Sequence, residues 1–271
     1  MPLLDPATKA IFGVLAGACA VIGQDAGQVY RQGMQLLAAH KPAEAIAALE
    51  RSVALKPQYA PAWKALGVVY AEQGDYEHAE EPFHQACERQ PALPDACLYF
   101  GRTLYLLNRF QPALDVLRNA LQNDKNNPEI YRLIGLSAEA LGEPAEAGAA
   151  FQSAVRLAKT IQAGMPVLQP DEDPGIDYGV YLFRQGQAEA ALEPLTRALE
   201  RHPDAARGHL ELGCVLLALD RLADAEAHLQ RAVALDPQSA RSHWLLGKVW
   251  LRLGKQQPGE EQLRQGSRTV K

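Results

Sequence analysis

This sequence predicts an all-α array of antiparallel helix pairs, on three observations that run the length of the chain. The first is a ladder of glycines. Glycine recurs at steps of 34 residues at Gly33, Gly67, Gly101 and Gly135, and after one step of 44 at Gly179, Gly213 and Gly247. The second is a pair of small-residue registers that keep the same step. One runs through Ala45, Ala79, Ala113, Ala147, Ala191, Ala225 and Gly259, the other through Ser52, Ala86, Ala120, Ala154, Ala198, Ala232 and Gly266. The third is a large apolar residue between those two, at Leu49, Phe83, Leu117, Phe151, Leu195, Leu229 and Leu263. A fixed period of this length is the mark of stacked helix-turn-helix repeats.

Close approach of two helices explains the small residues. Glycine on the first helix is expected to face alanine on the second, letting the axes meet near the short end of the usual ~8–10 Å. Trp63, Leu66 and Tyr70 fall at i, i+3 and i+7 and form one apolar helix face. The order Trp63, Leu66, Gly67, Tyr70, Ala79, Phe83, Ala86 and Pro91 resembles the tetratricopeptide repeat, and the resemblance covers roughly nine tenths of the chain. It implies an all-α fold, a right-handed α-solenoid superhelix in which stacked neighbours complete one another's core. The units it implies are 26–59, 60–93, 94–127, 128–161, 172–205, 206–239 and 240–271, with residues 162–171 as a loop.

Taken in order, residues 1–25 stand ahead of the repeat frame. No charge lies between Lys9 and Asp25, and Ala10 to Ile22 is an apolar run too short to span a bilayer. Such a run suits the core of a secretory signal, with small-x-small cleavage patterns at Ala16-Gly17-Ala18 and Ala18-Cys19-Ala20. A lipidated Cys19 and an extra helix covering the first repeat are the two other readings. The expectation is export to a periplasmic or secreted location if the segment is a signal, and a cytoplasmic location otherwise.

Within the repeats, the pairs turn at Gly74-Asp75, Asn108-Arg109, Gly142-Glu143, Gly186-Gln187, Asp220-Arg221 and Gly254-Lys255. Pro42 and Pro144 suit an opening helical turn, and Pro57, Pro91, Pro203 and Pro237 end second helices. Pro82 and Pro194 fall inside second helices, where a mild kink on the outer face is expected. Gly175 replaces the bulky residue that Trp63 and Tyr131 supply, so Val167 or Leu168 is expected to fill the gap. The last second helix places Glu260, Glu261, Gln262, Arg264, Gln265 and Ser267 around Leu263, which reads as the polar face of a terminal repeat.

Composition narrows the function. The chain is 48% apolar and 22% charged with a net charge of -5, so nucleic acid is not the expected partner. Four cysteines, Cys19, Cys87, Cys97 and Cys214, lack zinc or redox spacing. Cys87 and Cys97 flank one inter-repeat turn, near enough to approach each other, and are read as small core residues. The seven histidines sit singly, and there is no phosphate-binding glycine loop and no Gly-x-Ser-x-Gly. No catalytic, cofactor or metal site is therefore expected.

The resemblance also implies a concave face lined by first helices. Its family contact positions place Tyr30, Lys64, Leu98, Arg132, Ile176, Leu210 and Trp244 at position five, and Met34, Val68, Arg102, Leu136, Val180, Cys214 and Lys248 at position nine. The lysine, asparagine and arginine set with which some relatives hold a carboxylate terminus is missing: Val68, Tyr99, Glu129 and Leu133 stand there instead. The expected site is Tyr99, Arg102 and Tyr105 on one helix face, with Lys64 before and Arg132 after. The alternative is a solvated face whose cations pair with Asp95, Glu129 or Glu139. The function expected is a non-catalytic scaffold that holds a peptide or helix of another protein, acidic as well as apolar. A structural or self-associating envelope factor is the second reading and an enzyme the remote third.

Overall fold

The computed structural model describes residues 25–91, 93, 95–158 and 170–268. The expectations for a signal segment, for Cys19 and for Val167 or Leu168 as fillers lie outside the described residues. Among the described residues there are fourteen α-helices and no strand. The chain divides into two compact modules, the first ending at Asn123 and the second beginning at Asp124.

The first module holds three helix pairs: α1 (Ala26–Ala38) with α2 (Pro42–Leu55), α3 (Ala60–Glu72) with α4 (Tyr76–Arg89), and α5 (Ala96–Leu106) with α6 (Phe110–Ala120). The second holds four: α7 (Pro128–Ala140) with α8 (Pro144–Ala158), α9 (Pro174–Arg184) with α10 (Ala188–Arg201), α11 (Ala206–Ala218) with α12 (Leu222–Leu235), and α13 (Ala240–Arg252) with α14 (Gln256–Arg268). A short 3-10 turn, Pro170–Glu172, precedes α9. In each module a first helix packs on its own second helix, which packs in turn on the next first helix. This is the all-α solenoid arrangement of stacked pairs.

The glycine ladder works differently from the expectation. A Cβ at Gly67 would lie 2.6 Å from the Phe83 ring, at Gly101 2.5 Å from Leu117 Cγ and at Gly179 2.4 Å from Leu195 Cγ. Each glycine therefore seats the large residue of the facing helix rather than the alanine. Those large side chains are buried, and Ala45, Ala79, Ala113, Ala147, Ala191 and Ala225 are buried around them. Where Ser52 replaces alanine, its hydroxyl donates to the Ala26 carbonyl at 2.7 Å, so the polar atom is satisfied in the core.

All seven intra-pair turns share one construction. The turning residue has positive φ: His40 57°, Asn108 58°, Asp220 59°, Gly74, Gly142 and Gly186 75°, and Gly254 77°. The following amide reaches back five residues, from Lys41 to Leu36 at 2.9 Å in the first repeat and from Lys255 to Trp250 at 2.8 Å in the last. That closure satisfies a carbonyl the helix end leaves free.

Three further expectations are corrected. Pro82 and Pro194 are buried, not on the outer face, and helices α4 and α10 run through them. Gly175 leaves no gap to fill: a Cβ there would lie 2.7 Å from the Pro194 carbonyl oxygen and 3.2 Å from the Ala198 Cβ, because α9 closes directly on α10. Cys87 and Cys97 are not separate core thiols but a disulfide, with Cα atoms 4.7 Å apart across the joint between α4 and α5.

Candidate partner-binding face

First helices α1, α3 and α5 supply the residues at the family contact positions in the first module. Lys64, on α3, reaches toward α5: its ammonium lies 3.9 Å from an Asp95 carboxylate oxygen and 5.5 Å from the centre of the Tyr99 ring. Tyr99 in turn stacks on Phe83 with ring centres 5.4 Å apart. Burial, and after it the Asp95 carboxylate, raises the Tyr99 pKa, so the phenol stays neutral. Arg102 and Tyr105 follow on α5 at helical spacing and are half-buried, and the Tyr105 ring lies 5.7 Å from that of Phe110. Met34 on α1 and Leu106 on α5 are each 40% exposed. The face thus combines apolar and aromatic area with the cations Lys64 and Arg102.

Arg132 belongs to the second module and to a different kind of environment. It is only 6% exposed. Its Nε and Nη2 donate to the two Glu129 oxygens at 2.6 and 2.8 Å, and Nη1 donates to Asp177 at 2.8 Å. Burial opposes the positive charge, but hydrogen bonding and attraction from Glu129, then from Asp177, outweigh it and push the pKa up. Arg132 is therefore a buried cross-link between α7 and α9, not a side chain offered to a partner.

The cross-link continues along the first helices of this module. Arg207 on α11 donates to the other Asp177 oxygen at 2.6 Å, and Arg241 on α13 donates to the Glu211 oxygens at 2.5 and 3.1 Å. Asp173, which caps α9 through the Gly175 amide at 2.7 Å, accepts two bonds from Arg201 at 2.9 and 2.7 Å. Position five is not one environment: Leu98, Arg132 and Ile176 are buried there, Tyr30, Lys64 and Leu210 are half-buried, and Trp244 is 48% exposed with the Lys248 ammonium 4.3 Å over its ring. The pairing of Asp177 with Arg207 and of Glu211 with Arg241 recurs at a spacing of 30 residues. That acid-to-arginine recurrence is the signal through which the sequence announces the ion ladder.

Among the described residues no group of three or more histidine, cysteine, aspartate or glutamate side chains is arranged to hold a metal ion, and no helix is long and apolar enough to cross a membrane. Cys214 is a half-buried free thiol whose pKa burial pushes up, which keeps it protonated.

Comparison with known proteins agrees with the fold. Two tetratricopeptide repeat family models match, one over residues 30–94, 178–240 and 210–257 and the other over 72–137. The chain belongs to the tetratricopeptide repeat family. Cilia- and flagella-associated protein 70 of Homo sapiens is 30% identical over 95 residues, 34% of this chain and 8% of that protein. This chain thus spans less than a tenth of the length of that relative. Among solved structures, the Cut9–Hcn1 hetero-tetramer of the APC/C superposes with a TM-score of 0.68 at 21% identity, covering 83% of this chain and 43% of that one. YrrB, described as a tetratricopeptide repeat protein with an unusual peptide-binding site, superposes with a TM-score of 0.52 at 20% identity over 69% of this chain and 91% of that one.

Proposed function

We propose that this chain is a non-catalytic scaffold that holds an acidic and apolar segment of another protein on the first-helix face of its first module. The observation that carries the reading is the aromatic and cationic face that Lys64, Tyr99, Arg102 and Tyr105 form in the first module. On the first helices of the second module Arg132, Asp177, Arg207, Glu211 and Arg241 pair with one another and with Glu129. In the first module Tyr99, Arg102 and Tyr105 stand half-buried on α5 with Leu106 exposed next to Tyr105, and Lys64 of α3 lies over the Tyr99 ring. Tyrosine and arginine dominate interface energetics, and an arginine fork donates its N–H groups to a carboxylate while tyrosine rings supply apolar area. The fold supports the reading, since repeat arrays offer extended concave surfaces for binding. Lys64 contributes charge next to Tyr99.

The test is the double substitution Arg102→Ala, Tyr105→Ala, after a partner has been captured from native extract and identified. Hot-spot truncation typically costs about 2 kcal/mol or more, which weakens binding about thirtyfold. Unchanged affinity with an intact helical circular dichroism spectrum would move the site off this face.

A second reading, self-association or bracing of a larger envelope assembly, is favoured by one observation, the exposed Trp244 on α13. Mass in dilute solution separates the two: a monomer supports partner binding, a stable oligomer supports bracing. For location we propose export. The Cys87–Cys97 disulfide supports it, because such bonds persist in oxidising compartments, as does the uncharged apolar run ahead of the repeats. An intact Met1 on protein recovered from its native host would sink that proposal.

A further inference from the structure

Three of the joints between repeats carry the same side-chain hydrogen bond. Trp63 donates its ring N–H to the Pro57 carbonyl at 2.8 Å. His209 Nε2 meets the Pro203 carbonyl at 3.1 Å, and His243 Nε2 meets that of Pro237 at 3.1 Å. In each case the acceptor lies six residues earlier, at the proline beyond the preceding second helix, so the bond spans the joint. Cys97 occupies the same repeat position in the third repeat, six residues after Pro91, and it has no ring N–H to give. What it has is a covalent bond to Cys87, in the last turns of α4.

Helix α5 starts from Asp95 in a left-handed conformation, φ 63°, with no side-chain cap on its first amides. The contacts that carry Tyr99 onto the first-helix face, Phe83 under its ring and Lys64 beside it, cross the same joint.

We infer that the Cys87–Cys97 disulfide replaces the missing inter-repeat hydrogen bond and acts as a redox-sensitive lock on the joint between α4 and α5. Opening it needs a dithiol. One thiolate of the dithiol attacks a cystine sulfur, the other sulfur leaves as thiolate, and the second thiol closes the reagent into its own disulfide. Two electrons and two protons end on Cys87 and Cys97. The joint then retains neither the covalent tie nor the ring hydrogen bond found at three other joints, and the first turns of α5 open more readily. The consequence for a partner rests on the proposed function; the mechanical role does not.

The experiment uses the full chain without any partner. Alkylation of denatured, unreduced protein followed by peptide mass spectrometry is expected to label Cys19 and Cys214 and to find the Cys87 and Cys97 peptides joined. Amide hydrogen exchange is then followed with and without dithiothreitol. Reduction is expected to speed exchange across the first turn and a half of α5, Cys97 to Gly101, by about tenfold or more, as for a segment that opens locally, with α11 unchanged. A Cys87→Ser, Cys97→Ser variant is expected to exchange at the fast rate whether or not dithiothreitol is present. Alkylation of both cysteines without reductant overturns the inference. So does exchange in α5 that ignores reduction, or a serine variant as protected as the oxidised parent. Because no partner enters, failure here is distinct from survival of binding in the Arg102→Ala, Tyr105→Ala variant, which sinks the proposed function instead.

Discussion

Replacing Gly101 with alanine sets two opposed effects against each other. A Cβ at this position meets Leu117 at Cγ 2.5 Å, Cδ2 2.6 Å and Cδ1 3.3 Å away. Leu117 is fully buried, and the nearest atom is the branch point of its side chain rather than a movable tip. Overpacking of this kind costs about 1–3 kcal/mol. Against it, alanine in place of glycine inside a helix gains about 1 kcal/mol. The expected net result is a loss of about 1 kcal/mol, close to the difference between the middle of the first range and the second figure. The same substitution made in a Leu117→Ala background should reverse sign. With the side chain gone the clash is gone, and Gly101→Ala then stabilises by about 1 kcal/mol relative to Leu117→Ala alone. Urea denaturation of the four proteins, followed by far-ultraviolet circular dichroism and by amide exchange in α5 and α6, reads both differences. If Gly101→Ala stabilises the parent as helix propensity alone dictates, the glycine ladder is not a set of seats for the facing side chains.

Three other outcomes follow from named contacts. Arg132→Ala should cost about 3 kcal/mol or more in a urea titration, because it takes a bidentate cation from the buried Glu129 carboxylate and one of two arginines from Asp177. His209 and His228 meet through their Nδ1 atoms at 3.0 Å, and burial first of all lowers both pKa values below 6.5; for His228 the facing His209 lowers it further. The unfolded chain therefore binds more protons as pH falls, so stability is full above about pH 6.5 and declines below it; urea midpoints at about pH 7.5 and pH 5 should show the drop, and His228→Gln should shrink it. Asn108→Gly should raise stability by about 0.5 kcal/mol in thermal denaturation, since Asn108 turns at φ 58° where four sister turns use glycine.

Much of the fold was legible because a repeat reports the same constraint many times. Steps of 34 residues with one of 44 located the helix pairs: five first helices begin at the unit starts, Ala26, Ala60, Pro128, Ala206 and Ala240, and two begin two residues later, at Ala96 and Pro174. The candidate site was less legible. Periodicity shows which residues share a position, not which neighbour covers them. Arg132 and Lys64 both occupy position five, yet one is buried between two carboxylates and the other lies beside an aromatic ring and a single carboxylate. The partner of Arg132 across the joint is Asp177, 45 residues on and beyond the one irregular step, where no fixed spacing points to it.

By itself, then, the sequence determined the helix pairs, their turns and the small residues between them, because each of those is fixed by local conformation and by a pattern repeated along one chain. Tertiary structure decided what the small residues seat, which charges are consumed inside the array, and that Cys87 and Cys97 meet. Those outcomes depend on distances between helices, and a distance across a joint is set by every side chain packed into it rather than by the period of any one of them.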